Sequence, residues 1–203
     1  ELRSPLAALR VQTEVVQLSG DDALMREHAL ENLTTSIDRA TRLVDQLLTL
    51  SRLESFSRPE ELERIDWSML IAQSLAEQDH RAHRKGIELR FEDQGVPFPV
   101  RGQSLLLSLM VRNLLDNAIR YSAAGTCVTV RLDGQGITVE DQGPGMSDEH
   151  LARLGERFYR PPGQEQTGSG LGISIVQRIA QLHHLKVIYK NKAEGGLEVR
   201  VSR

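Results

Sequence analysis

The chain has 203 residues, is 39% hydrophobic and 26% charged, and carries a formal net charge of −3. That composition excludes a disordered or fibrous chain, and the interspersed charges leave no basic field for nucleic acid. Cys127 is the single cysteine, so it can make no internal disulfide and cannot build a zinc site by itself, which fits a reducing compartment. No apolar run approaches the roughly 18 residues of a membrane span, and no signal-peptide pattern is present.

Residues 1–56 carry only helix grammar. In "ELRSPLAALRVQTEV", Leu2, Leu6, Leu9, Thr13 and Val16 recur at alternate spacings of four and three, the seam of a helix running to about Leu18. Pro5 is welcome if it stands in the first turn. Inside a longer helix it would remove a hydrogen bond at a cost of about 3 kcal/mol. "SGDD" (Ser19 to Asp22) reads as a turn with N-cap residues. A second helix follows with Leu30, Leu33, Ile37, Ala40, Val44 and Leu47 as its seam, widened by Leu43, Leu50 and Leu53. Two helices cover only one face of each other. The spare stripe is expected to be buried by a second copy, giving a dimeric four-helix bundle, or else against the rest of the same chain. "SFSRPEELE" (Ser55 to Glu63) reads as a joint, which divides the chain into 1–56 and 57–203.

Beyond the joint the grammar changes. A helix is expected from Ile65 and Asp66 to about Lys85, stopped by Gly86. "IELRFED" alternates as a strand, Ser104 to Tyr121 is a long helix, and "CVTVRLD" with "ITVED" forms a hairpin around "GQG". A helix over Leu171 to about Leu182 and a closing hairpin, "KVIYKNKAEGGLEVRVS", complete an α+β sandwich with helices on one face of a mostly antiparallel sheet.

Three segments of this second region carry candidate chemistry. In the Ser104–Tyr121 helix, Leu105, Leu106, Leu109, Leu114 and Ala118 are expected to be buried, while Asn113, Asn117, Arg120 and Tyr121 share another face. Two amides, a cation and a phenol supply oxygen ligands for a hard ion and donors for phosphate; the same pattern also describes amides that merely face water. In "EDQGPGM", Asp141 ends a strand, and Gly143 and Gly145 let the backbone approach a flat ligand, although a plain turn fits equally. In "QTGSGLGISIVQRIA", Gly168, Gly170 and Gly172 precede a helix whose free N–H groups could meet an anion. No strand leads into it and no Gly-Lys-Ser/Thr follows, so neither the dinucleotide fingerprint nor the P-loop is present. "ERFYRPPG", with Phe158 and Tyr159, reads as a lid. His80 and His83 in "HRAH" have metal-like spacing but also the pattern of a solvated helix face.

The order Asn-rich helix, strand–Asp–Gly–x–Gly, lid, Gly-rich helix start resembles the N, G1, F and G2 boxes of the histidine-kinase ATP-binding domain, whose GHKL superfamily includes gyrase, the Hsp90 chaperones and MutL. "ELRSPLAALR" resembles the H-box of sensor kinases, His-Glu-x-x-x-Pro, without its first residue. The resemblance spans essentially the whole chain. It implies a helical hairpin for dimerisation and phosphotransfer over 1–56, and a Bergerat-type ATP-binding domain over 57–203.

What it implies for residues is as follows. Asn117 and Asn113 hold Mg²⁺ on the ATP phosphates, Arg120 contacts phosphate oxygens, and Tyr121 flanks the nucleotide. Asp141 accepts a hydrogen bond from the adenine amine, with Gly143 and Gly145 opening the pocket. Phe158 and Tyr159 anchor the lid, while Thr167, Gly168, Ser169, Gly170, Leu171 and Gly172 cradle the triphosphate. Glu1 serves as general base for a histidine just before it. Ser4 stands where Thr or Asn is frequent, which bears on phosphatase activity. Gln142 replaces a frequent Asn and Ser169 a frequent Thr.

The implied protein is the cytoplasmic portion of a bacterial inner-membrane sensor. It would dimerise, phosphorylate a response-regulator receiver aspartate, and touch the membrane only through parts not in this chain. None of the six histidines has H-box neighbours, so this fragment is expected to bind ATP without autophosphorylating. Two alternatives stand beside it: a nucleotide-binding dimeric docking module without turnover, and a GHKL ATPase of the gyrase, chaperone or MutL type, for whose clamp domains there is no room.

Overall fold

A computed structural model describes residues 3–20, 22–55, 62–162 and 168–203, with side chains for all of these except residues 3–6 and 39. The chain divides into two compact units, Glu1–Ser51 and Arg52–Arg203.

The first unit is a helical hairpin. Helix α1 spans Arg3–Leu18 and α2 spans Ala23–Ser55, its last turn belonging to the second unit. Between them the Asp22 N–H donates to the Ser19 carbonyl at 2.8 Å, and Asp22 Oδ1 accepts from the Met25 N–H at 2.9 Å. Asp22 is thus an N-cap that satisfies one orphan amide of α2. The buried positions of α2 within this unit are Ala29, Leu43 and Leu50, whereas Leu30, Ile37 and Val44 lie 41–47% exposed. Leu43 and Leu50, expected to widen the stripe, are therefore covered. The expected seam residues Leu30, Ile37 and Val44, seven residues apart, form the open apolar line. The Ser55–Glu63 joint lies outside the described residues except for Ser55, Leu62 and Glu63.

The second unit is an α/β sandwich. Its five-stranded sheet has the order β2-β4-β5-β7-β6, with β2 Glu88–Asp93, β4 Cys127–Asp133, β5 Gly136–Glu140, β6 Lys186–Asn191 and β7 Leu197–Ser202. Among the described strands only β2 and β4 pair in parallel. Two-residue strands β1 (Glu63–Arg64) and β3 (Arg101–Gly102) form a separate antiparallel pair. Helices α3 (Trp67–Arg84), α4 (Ser104–Tyr121) and α6 (Gly172–Leu182) pack on the sheet, with α4 between the other two. A short α5 covers Asp148–Ala152.

Alternation along the strands explains the layering. Val128, Val130, Leu132, Ile137, Val139, Val199 and Val201 are buried and meet the buried face of α4 and α6, including Leu107, Met110, Val111, Ile175 and Ile179. The opposite face carries charge: the Arg200 guanidinium donates to both Asp133 oxygens at 3.0–3.1 Å, and Arg131 pairs with Glu92 and Glu140. The expected burial of Leu105 is wrong. It is 75% exposed, because the buried stripe of α4 runs through Leu107, Met110, Val111, Leu114, Leu115, Ala118 and Ile119. A leucine-rich first turn overstated the stripe.

Helix α4 is pinned at both ends. The Gln103 N–H donates to His183 Nε2 at 3.1 Å, and His183 Nδ1 lies 2.8 Å from the Ile179 carbonyl. The buried His183 thus acts as a neutral imidazole with both nitrogens used, and burial lowers its pKa. At the other end Lys85 Nζ donates to the carbonyls of Ile119, Arg120 and Ser122 at 2.5–2.8 Å. An ammonium on three terminal carbonyls complements the negative end of the helix.

Candidate functional site

One face of α4 organises the candidate residues. Asn113, Asn117, Arg120 and Tyr121 are all half-buried there. The Asn113 amide nitrogen donates back to the Leu109 carbonyl at 2.8 Å, which turns its Oδ1 away from its own helix. A Cβ on Gly172 would stand 3.3 Å from that Oδ1 and 3.6–3.7 Å from the Asn117 amide. The two asparagines therefore face the first residue of α6, whose first turn has no side-chain cap. Uncapped amides and the positive end of the helix dipole favour an anion there. Beside them, an amide oxygen turned away from its own helix suits a hard cation held jointly with that anion. Asn113 and Asn117 thus fit a magnesium site.

Arg120, in the last turn of α4, continues this face. Its Nη2 donates to Asp116 Oδ2 at 2.8 Å, and Asp116 also pairs with Arg81. A Cβ on Gly168 would come 2.5 Å from Arg120 Nη1. A charged guanidinium is thereby held beside the loop that leads into α6, where burial lowers its pKa without taking it from the charged form. Ser169 Oγ accepts from the Leu171 N–H at 3.2 Å, ordering the entry to the helix.

The last residue of α4, next to Arg120, meets the Asp141 loop. Gly143 packs against the Tyr121 carbonyl, where an added Cβ would stand 2.9 Å away. Asp141 is 7% exposed, and its Oδ1 accepts from the Gly143 N–H at 2.9 Å and the Leu197 N–H at 3.0 Å. Among the described residues no donor reaches Oδ2. Burial pushes this carboxyl above the ordinary range, against the two amides and the Lys192 charge. Glu140, its neighbour, points to the opposite face of the sheet. Burial raises it, but bonds to Lys192 (3.0 Å) and Arg131 win, so its pKa is lowered. One carboxylate is neutralised within the fold; the other keeps an oxygen for a ligand.

The remaining candidates flank this frame. Phe158 donates its N–H to the Gly170 carbonyl at 3.1 Å and has φ of 61°. Gly170 has φ of 72°, and a Cβ there would come 2.6 Å from the Phe158 carbonyl carbon, so two backbones touch where a side chain would not fit. Tyr159 turns to α5: its OH is 2.6 Å from His150 Nδ1, and the Arg153 guanidinium lies 3.9 Å from its ring centroid. Gln142 Oε1 accepts from the Cys127 N–H at 2.8 Å, a strand contact. His80 and His83 are exposed.

The structure thus brings Asn113, Asn117 and Arg120 to Gly168 and Gly172, Tyr121 to Asp141 and Gly143, and Phe158 to Gly170. Leu171 is buried at the start of α6. Glu1, the Ser4 side chain and Thr167 lie outside the described residues. Sequence reasoning missed Asp116, whose four-residue spacing to Arg120 was a usable signal. It also missed Lys85, His150, Arg153 and Asn191, whose contacts arise only from tertiary packing.

Comparison with known proteins gives the following. The family model "Histidine kinase-, DNA gyrase B-, and HSP90-like ATPase" matches residues 102–203, and "His Kinase A (phospho-acceptor) domain" matches residues 1–56. Sensor protein QseC of Salmonella typhimurium is 56% identical over 202 residues, covering 100% of this chain and 45% of that protein. Sensor protein QseC of Escherichia coli K12 is 54% identical over 202 residues, with the same coverage. The solved cytoplasmic segment of histidine kinase QseC matches with a TM-score of 0.59 and 42% identity, over 82% of this chain and 93% of that one. The chain spans less than half the length of these full-length relatives.

Proposed function

The chain belongs to the histidine kinase family, and from that premise we propose that it is the catalytic core of a two-component sensor kinase. It binds Mg²⁺-ATP, passes the γ-phosphoryl to an H-box histidine, and from there to an aspartate of a response-regulator receiver domain. The observation that carries this reading is the convergence on the C-terminal half of α4 of the α6 start, which faces Asn113 and Asn117, and of the loop of the buried Asp141, which packs on Tyr121.

Asp141 Oδ2 accepts the exocyclic amine of adenine, and Tyr121 flanks the base beside Gly143 and Gly145. Arg120 and the amides at Gly168–Gly172, with Thr167 and Ser169, hold phosphate oxygens, and Phe158 and Tyr159 anchor the lid over them. Asn117 and Asn113 would hold Mg²⁺, which supplies charge neutralisation on the triphosphate when bound. Phosphoryl transfer needs in-line positioning and charge stabilisation more than covalent help. The bond from the γ-phosphorus to its bridging oxygen breaks, ADP leaves, and the new bond forms to an imidazole nitrogen. Glu1 takes the imidazole proton, and Ser4 orients the water that dephosphorylates the regulator.

The exposed line Leu30, Ile37 and Val44 supports burial by a second copy of the hairpin. Each such residue, fully buried, contributes about 1.5–3 kcal/mol. Among the described residues no helix is long and apolar enough to cross a membrane. We place the chain on the cytoplasmic side of a bacterial inner membrane, attached through other parts of a longer sensor.

The test uses γ-labelled ATP. The 203-residue chain has no histidine in H-box context, so it is expected to take no label. The same chain extended by His before Glu1 is expected to take acid-labile label and pass it to a receiver domain. An extended chain that binds ATP but takes no label would favour the docking-module alternative.

A further inference from the structure

The loop from Asp141 to Met146 is held at both ends by one hairpin. At its start, Leu197, the first residue of β7, donates its N–H to Asp141 Oδ1 at 3.0 Å and accepts the Asp141 N–H at 3.0 Å. At its end, Asn191, the last residue of β6, engages Met146 twice. Asn191 Oδ1 accepts from the Met146 N–H at 2.9 Å, and Nδ2 donates to the Met146 carbonyl at 2.6 Å. Asn191 and Leu197 are themselves strand partners. The mouth of the β6–β7 hairpin therefore grips the loop at two points, and Asn191 acts there as a strand neighbour made from a side chain. Gly145 fits this arrangement: its φ is 70°, and a Cβ would come 3.0 Å from Asn191 Oδ1.

We propose that Asn191 is a positioning residue for purine recognition. It fixes the far end of the loop whose near end presents Asp141 Oδ2, so the edge that reads the base is set before the nucleotide arrives. The inference rests on the reading of Asp141 as the adenine acceptor. A loop freed at Met146 would have to be ordered on binding, which costs affinity. The residue type matters. Aspartate keeps the acceptor for the Met146 N–H but sets an oxygen against the Met146 carbonyl, and alanine offers neither bond. Asn191 is exposed and Met146 only half-buried, so water can replace the two lost bonds and the fold should tolerate the change.

The test measures ATP and ITP affinities by competition in the 203-residue chain; ITP has an oxygen in place of the adenine amine. Amide exchange at Met146 and nucleotide-free thermal unfolding are read in parallel. For Asn191→Ala the ATP dissociation constant should rise about three- to tenfold, the worth of one or two exposed hydrogen bonds, with ITP binding little changed. The Met146 amide should exchange faster while the unfolding midpoint holds, and Asn191→Asp should do no better than Asn191→Ala. An unchanged ATP preference in Asn191→Ala, where Asp141→Asn abolishes it, would overturn the proposal and leave the Asp141 reading standing. If Asp141→Asn itself keeps the wild-type preference, the adenine reading fails and the positioning role falls with it.

Discussion

The two ends of the proposed nucleotide site are built by opposite means. The adenine end is a single buried carboxylate, fixed by two backbone amides and held against its own desolvation. The phosphate end is a half-buried array of amides, a paired guanidinium and an uncapped helix start. One end selects by the presence of a single acceptor; the other grips by the sum of many dipoles. Losing the acceptor should remove recognition outright, whereas losing one dipole should weaken the grip in part.

The largest expected effect is at the adenine end. Asp141→Asn should weaken ATP binding about ten- to a hundredfold, the worth of a hydrogen bond to a charged group, and erase the preference over ITP. The amide can still accept both N–H groups at Oδ1, and it removes a buried charge. Because the folded pKa is raised, stability falls as pH rises from the ordinary carboxylate range through the raised value. The variant escapes that loss, so its nucleotide-free unfolding midpoint at neutral pH should not drop. A large destabilisation would instead make Asp141 a structural residue.

Gly170→Ala comes next and strikes the phosphate end. Its Cβ would collide with the Phe158 backbone, and φ of 72° adds about 1–2 kcal/mol for an L side chain. Triphosphate affinity, read with ATP and ITP alike, should fall severalfold while the ATP preference survives. A change in preference would show that the two ends are not separable.

The smallest effects are in pH. In the proposed function ATP binding uses the Asp141 carboxylate, so the advantage of wild type over Asp141→Asn should shrink on acidification, beginning above the range of an ordinary aspartate. Away from the site, His183 has the opposite sign. Its folded pKa is lowered, so the unfolded chain takes up the proton first and stability falls as pH drops through the ordinary histidine range. His183→Gln should flatten that decline in thermal unfolding, because glutamine does not titrate.

Much of this contrast was legible in the sequence. Helix α4 spans the expected Ser104–Tyr121, and the Asn113, Asn117, Arg120 stripe follows from helical geometry alone. The hairpins were visible as alternating strands around glycine turns. What failed was local. Leu105 was counted into the buried stripe on its chemistry, although the helix turns it outward. Helix α5 and strands β1 and β3 are too short for any periodicity to show. The roles of Lys85 and Asn191 depend on partners 34 or more residues away, contacts that exist only once the sheet has formed. Both apolar stripes of α2 are legible, Leu30, Leu33, Ile37, Ala40, Val44 and Leu47 with Leu43, Leu50 and Leu53 beside them, but not that Leu43 and Leu50 are the covered positions while Leu30, Ile37 and Val44 stay exposed. A heptad pattern gives the stripes of a helix without saying which partner covers each.

In the proposed function Asn117 gives the phosphate end its magnesium while Asp141 serves the base independently. Calorimetric titration of ATP into wild type and Asn117→Ala, with and without Mg²⁺, tests it most directly. Mg²⁺ should tighten binding to wild type by about tenfold or more and leave Asn117→Ala near its magnesium-free affinity, with both proteins alike when the ion is withheld. Equal tightening by Mg²⁺ in the two proteins would rule out Asn117 as the residue that holds the ion.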